Sequence, residues 1–295
     1  AALIETLKGP KALEIACRFP ARYRYLRSLD QGPELNLRNC PELERFLDAV
    51  PTDQVFLVFA SESVSRPASI MGHTLLKLKG VNRQGIEVEH AISFFTRMDD
   101  VDPVTLLFQS FVTGKKGYYT LSPYHESISY YIFNEGRNVW EFEIKMTEFQ
   151  KELLRLHLYE LKTIEMNYFF HVFNCATVLR DILSVANPSI HEAGHLWVTP
   201  LDLVRTLDQS DSIQSRRLAY TNQWLIKELV RQENFSSESL LKIPSRDERF
   251  SPVSSLEQNA LLYKRYRLTK AFVGYEFEEK KISRDQWSSA DQALD

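Results

Sequence analysis

Residues 168–183 read YFFHVFNCATVLRDIL, an aromatic run joined to an apolar-periodic run by an Asn-Cys pair. Val178, Leu179, Ile182 and Leu183 recur at helical spacing, which predicts a helix starting at Cys175. Asn174 is a good N-cap residue for that helix. A thiol then sits in the first helical turn, where free backbone N–H groups and the helix dipole favour a thiolate. A nucleophilic cysteine is commonly built this way. The same pattern also fits a core thiol, because cysteine is among the most buried residue types.

A second stretch bears on the choice. Residues 67–78, PASIMGHTLLKL, place His73 after a glycine and at the head of an alternating run. Leu76 and Leu78 face one way and His73, Leu75 and Lys77 the other, so the run reads as a strand. A strand carrying an imidazole and a helix start carrying a thiol can supply a Cys–His pair.

The rest of the chain is ordered around these two stretches. Residues 3–50 read as helical, with a break at Pro20, a new start at Pro41 and an end at Pro51. The run VFLVFA (55–60) reads as a buried central strand. A turn signal at 82–85 separates the His73 strand from EVEHAISFF (87–95), its hairpin partner. VTLLFQSFV (104–112) reads as a short amphipathic helix, and 114–117 as a loop. GYYTLSPY (117–124) and VWEFEIKM (139–146) are further strands. In the latter Trp140, Phe142, Ile144 and Met146 alternate with Glu141, Glu143 and Lys145, the pattern of a half-buried strand. Thr147 caps a helix reaching about residue 165. After Leu183 come a loop at 187–194 and a short helix in WVTPLDLVRTL (197–207). Residues 210–295 are polar and read as helical. Strands that run together with helices outside them argue for an α+β fold rather than a βαβ sheet. The expected segments are 1–50 (N-terminal helices), 51–208 (the domain bearing His73 and Cys175) and 209–295 (accessory helices).

Composition narrows the function classes. The chain has 295 residues, 44% of them hydrophobic, and a net charge of −3, which gives no reason to expect nucleic acid. No apolar run approaches the ~20 residues that span a bilayer. No leader pattern is visible, and the chain opens on Ala1 and Ala2 as a processed form would. Of its three cysteines, Cys17 and Cys40 are close and Cys175 is distant. That spacing fits a disulfide plus a free thiol, and equally two unpaired buried thiols. Arg18, Arg22, Arg24 and Arg27 read as a solvated face, with an anionic-lipid contact at a membrane surface as the sharper alternative.

Several segments, in order, resemble the Lnb N-terminal periplasmic domain family: VFLVFASESVSRPASIMGHTLLKL, FVTGKKGYYTLSPYHESISYY, NEGRNVWEFEIKMT and YELKTIEMNYFFHVFNCATVLRDIL. CRFPARYRYL and the Cys40-Pro41 pair also look like the upstream region of larger members. The resemblance spans roughly residues 12–205. It implies a circularly permuted, papain-like (NlpC-type) α+β domain with an antiparallel sheet, in which the histidine strand precedes the cysteine helix. It also implies a Cys–His thiol site, a Cys17–Cys40 disulfide, and a periplasmic or cell-envelope location. The family's namesake is a lipoprotein N-acyltransferase, and relatives of the fold include amidases, peptidases and lipid acyltransferases. The fold alone does not select among them. One position departs from the family pattern. Where an Asn is expected to orient the histidine, this chain has Ser93, whose hydroxyl can accept the imidazole N–H. His90 is the rival, but a two-residue period puts it on the opposite strand face.

The implied chemistry is attack by the Cys175 thiolate on an acyl carbonyl, with His73 as acid–base, Ser93 orienting it, and the N–H at the Asn174–Cys175 helix start as an oxyanion donor. The acyl-thioester is resolved by an amine or by water. The resemblance implies a lipid, a lipoprotein or peptidoglycan as substrate. Acyl transfer is the first expectation. Hydrolysis as an amidase, endopeptidase or thioesterase is the alternative, and a binding module without turnover the second. Arg137 and Glu141 read as a structural brace more than as a substrate contact. Tyr118, Tyr119, Tyr124, Tyr130 and Tyr131 read as packing before an acyl groove. Asp202 reads as a helix N-cap. The histidines at 125, 157, 171, 191 and 195 show no metal-ligand spacing, so neither a metal nor a cofactor is expected.

Overall fold

A computed structural model of the chain describes residues 2–62, 71–96, 115–162, 164, 166–169, 174–192, 198–233 and 256–294. Its strands are β1 (Gln54–Ala60), β2 (His73–Val81), β3 (Glu87–Thr96), β4 (Lys115–Pro123), β5 (Val139–Ile144), β6 (Met166–Tyr168) and β7 (Ile213–Ala219). They form one sheet in the order β6-β4-β3-β2-β1-β5-β7. The ladders from β6 through to β5 are all antiparallel. Mixed helices and an antiparallel sheet make the fold α+β. The predicted 104–112 helix lies outside the described residues.

One face of the sheet carries the main core. Strand alternation points Val55, Leu57 and Phe59 of β1, Leu76 and Leu78 of β2, Ile92 and Phe94 of β3, and Phe142 and Ile144 of β5 to this side. The helices Glu148–Leu161, Cys175–Ala186 and Pro200–Gln209 cover it with Leu154, Leu158, Val178, Leu179, Ile182, Leu183, Leu203 and Leu207. Each such side chain contributes about 1.5–3 kcal/mol on burial. The helical period read at 178–183 is thus the seam that seats the Cys175 helix on the sheet.

The opposite face is also covered. Val58, Leu75 and Ala91 are buried there, and so are Lys77 and Glu141. Lys77 Nζ lies 3.5 Å from Glu141 Oε2 and 2.9 Å from Glu89 Oε1. The buried Tyr124 hydroxyl donates to Glu141 Oε1 at 2.7 Å. The half-buried reading of β5 therefore fails at two positions: Trp140 is exposed while Glu141 is buried. Polar-out alternation holds only where one face meets water.

The N-terminal helices Ala2–Thr6, Ala12–Arg18, Pro20–Ser28 and Pro41–Ala49 do not form a segment apart. They belong to a compact unit of residues 1–129 and 139–218. Ala21, Cys40 and Leu43 pack with Leu153, Leu156 and Tyr159 of the Glu148–Leu161 helix. Phe19 supplies no side-chain cap for the Pro20 helix. Instead the buried Glu160 accepts from Ala21 N at 2.8 Å and Arg22 N at 3.2 Å, a carboxylate at a helix N-terminus. Arg24 pairs with Glu152 at 2.9 Å, so the arginine-rich helix is partly engaged by its neighbour.

A disulfide joins Cys17 to Cys40 across a separation of 23 residues. Loop closure of this size is worth about 3 kcal/mol. A Cys17→Ser/Cys40→Ser double variant is expected to unfold about that much more easily in urea, and a reductant should produce the same loss in the parent chain.

Two further expectations are corrected. Residues 213–219 form β7 at the sheet edge rather than helix. The sequence IQSRRLA has no alternation to betray a strand, because the strand is mostly exposed on both faces. Its pairing comes from tertiary contacts: Lys145 N donates to Ser212 O at 2.8 Å and Ser215 Oγ to Glu143 at 2.7 Å. The helix after Thr147 ends at Leu161 rather than near 165, and a full capping box between Thr147 and Gln150 starts it.

The second compact unit comprises residues 130–138 and 219–295. Its helices are Asn222–Glu233, Leu256–Glu278 and Arg284–Leu294. Phe277 stacks on Trp287, and Asn222 donates to Glu278 at 2.9 Å. Among the described residues, no helix is long and apolar enough to cross a membrane.

Candidate thiol site

The helix start is built as the sequence predicts. Asn174 is the N-cap: its Oδ1 accepts from Ala176 N at 2.9 Å and Thr177 N at 3.0 Å. Thr177 Oγ1 accepts from Asn174 N at 2.8 Å, completing a capping box. Asn174 Nδ2 donates to Val198 O at 3.1 Å, tying the cap to the residue ahead of the Pro200–Gln209 helix. The Asn174 side chain is thus spent on holding the turn. It fixes the turn that carries Cys175.

His73 enters from the sheet. Gly72, just before it, has φ of +80°. A Cβ there would lie 2.5 Å from Phe59 Cε2 and 2.9 Å from Ala60 O, so only glycine lets the chain join β2 at this point. His73 Nε2 lies 3.0 Å from Ser93 Oγ on β3. The β2–β3 register places His90 opposite Leu78, on the core face and away from His73. Burial lowers the pKa of His90, and its Nδ1 has no hydrogen-bond partner among the described residues.

Cys175 is buried and is the free cysteine. Burial pushes its thiol up. The charge of His73, a hydrogen bond from His73, and hydrogen bonds from the Thr74 amide and hydroxyl outweigh that and bring it from 9.0 down to about 7. The described residues therefore bring Cys175, His73 and Ser93 together, with Asn174 as their support. Thr74, fully buried next to His73 on β2, went unread, since a threonine inside a strand pattern looks like an ordinary β-former.

The other candidates sit elsewhere. Arg137 pairs with Glu135 at 2.7 Å and lies over the Tyr131 ring, while Glu141 is engaged by Lys77 and Tyr124. The expected brace is thus divided between two sets of partners. Tyr119 packs against the core and donates to Leu158 O at 3.5 Å. Tyr130 is exposed. Asp202 is not the N-cap of its helix: Thr199 is, and Asp202 is the reciprocal capping-box residue, held below the usual carboxylate range despite burial by its bonds to Thr199 and the charge of Arg205. His171 and His195 lie outside the described residues.

The fold and the site together define an α+β protein whose sheet offers an imidazole to a thiol at a helix N-terminus. The chain belongs to the Lnb N-terminal periplasmic domain family, whose sequence profile matches residues 42–210, more than half of its length. No curated protein and no solved structure gives a significant match.

Proposed function

We propose that the chain is a cell-envelope thiol acyltransferase that works through an acyl-thioester on Cys175, in a permuted papain-like domain. The observation that carries this reading is the buried free thiol of Cys175 in the first turn of its helix, with His73 acting on it and His73 Nε2 lying 3.0 Å from Ser93 Oγ. A thiolate available at neutral pH attacks the acyl carbonyl carbon. The imidazolium of His73 gives its proton to the departing oxygen or nitrogen, leaving a thioester and a neutral ring. His73 then takes a proton from an incoming amine as it attacks, and the thiolate is released. With water as the incoming group, the same steps give a hydrolase. Family membership favours transfer to the amine of a lipoprotein, and a periplasmic location. The Cys17–Cys40 disulfide supports an oxidising compartment.

The test is intact-protein mass after incubation with extracted phospholipid, for the parent chain beside Cys175→Ala. A fatty-acyl mass on the parent and none on Cys175→Ala is the expected outcome. Adding a lipopeptide amine should clear the adduct with acylation of the peptide. Release as free acid in the presence of the amine favours the hydrolase. No adduct, with Cys175 reacting no faster than a free thiol, points to a binding module.

A further inference from the structure

We propose that the cavity lined by Arg155 is a binding site for the anionic group, phosphate or carboxylate, of a small amphiphilic molecule. The cavity shares no lining residue with the thiol site, and the proposal does not depend on the function proposed above.

The cavity measures about 650 Å³ and lies between the N-terminal helices and the helix Glu148–Leu161. Residues 148, 151, 152, 155 and 156 fall at helical spacing, so one face of that helix forms a wall. The Pro20–Ser28 and Pro41–Ala49 helices and residues 34–38 form the others. Leu43 and Leu156 are buried in the lining, with Leu35, Leu37 and Leu47 beside them, so part of the surface is apolar.

Most charges around the cavity are already matched. Arg24 pairs with Glu152 at 2.9 Å, Lys151 with Glu148 at 2.6 Å, and Glu44 with Arg83. Arg27 donates to Gly32 O at 2.9 Å, and Asp53 Oδ2 accepts from Val81 N at 2.9 Å. Arg155 stands apart. Its Nε is buried without a hydrogen-bond partner, and among the described residues no carboxylate forms an ion pair with it. Burial disfavours its charge, and the fields of Asp53, Asp48 and Glu44, opposed by Arg83, do not make this good. The exposed Arg38 and Glu34 also line the cavity, and neither is in an ion pair among the described residues. With the ion pairs set aside, the guanidinium groups of Arg27, Arg38 and Arg155 stand against the carboxylates of Asp53 and Glu34, an excess of positive charge. A partly buried, unpaired guanidinium is costly, and an oxyanion taken by two parallel N–H groups is the partner its fork fits. A bare ion fills little of this volume, and the leucines supply a place for an apolar tail.

The experiment is calorimetric titration of the full chain with inorganic phosphate, hexyl phosphate, acetate and hexanoate, in a buffer free of other oxyanions. The parent is compared with Arg155→Met and Arg155→Lys, and each is melted without ligand. The hexyl compound of the anion that the site takes should bind the parent about tenfold more tightly than the bare ion, since two buried CH₂ groups supply that much. Binding of hexyl phosphate alone identifies a phosphate ligand, and of hexanoate alone a carboxylate. Arg155→Met should weaken binding by about 10- to 100-fold, the size of a hydrogen bond between charged groups. Arg155→Lys should recover only part of the loss, because it restores the charge without the fork. Without ligand, Arg155→Met should melt no lower than the parent, because it strands no partner. If Arg155→Met does not fold, Arg155→Gln carries the same test. Binding that the Arg155 variants leave unchanged overturns the proposal, and so does a parent that binds none of the four probes.

Discussion

Replacing His73 by Ala is expected to raise the alkylation midpoint of Cys175 well above its value of about 7. The sign follows from the opposing contributions at the sulfur. Burial is the largest of them and raises the thiol, and only the charge and hydrogen bonds of His73 and Thr74 overcome it. Without the imidazole the two contributions of His73 are lost and the largest one, burial, remains. A 2-unit rise lowers the thiolate fraction at pH 7 by about fifty-fold or more. Part of that is recovered, because a more basic thiolate is the better nucleophile, with a Brønsted slope of about 0.4–0.5. For such a rise the net alkylation rate at pH 7 should therefore fall about five- to eightfold, while the plateau at high pH should exceed the parent's. Acyl-adduct formation should fall further, by roughly 10²–10⁴, because the leaving group also loses its acid. An alkylation profile unchanged by His73→Ala would remove the imidazole from the site.

Ser93 is the lesser partner in this arrangement. It holds Nε2 with one neutral hydroxyl, so its loss frees the ring to turn but leaves the charge near the sulfur.

The parts of this site that the sequence discloses are those where one residue carries a local rule. Asn174 before a helical period can only be a cap, and the cap places Cys175 in the first turn. The Gly72-His73 step followed by alternation marks a strand start, and the period of two separates Ser93 from His90. Thr74 escapes notice because a threonine in a strand pattern reads as an ordinary β-former, and its full burial depends on what covers the strand. Residues 213–219 escape for a related reason: an edge strand exposed on both sides has no alternation to read. Lys77 and Glu141 escape because a polar residue in a strand is read as facing water. In this sheet both faces of β1 and β2 are covered, so that inference fails at its centre.

Those two residues give the largest expected effect on stability. Glu141→Leu is expected to destabilise the chain by about 3–5 kcal/mol, the usual cost of stranding one partner of a buried ion pair. Lys77 keeps only the half-exposed Glu89 at 2.9 Å, and the Tyr124 hydroxyl loses its acceptor. Burial and the bond to Glu141 both hold Tyr124 protonated far above the usual tyrosine range, so its proton has nowhere else to go. The double variant Lys77→Met/Glu141→Leu should recover most of the loss, because it removes both charges from a site that already packs against Phe56 and Tyr124. Urea midpoints for the two single variants and the double give the coupling directly. A single-variant cost below about 1 kcal/mol would mean that water or Glu89 compensates Lys77 without Glu141. The same double variant separates fold from site. Lys77 lies on the His73 face of β2, four residues on, which is about 13 Å along a strand. Removing a neutral pair at that distance takes no net charge from the field at the sulfur. The alkylation midpoint of Cys175 should therefore stay near 7 in the double variant even as the stability of the single variants falls.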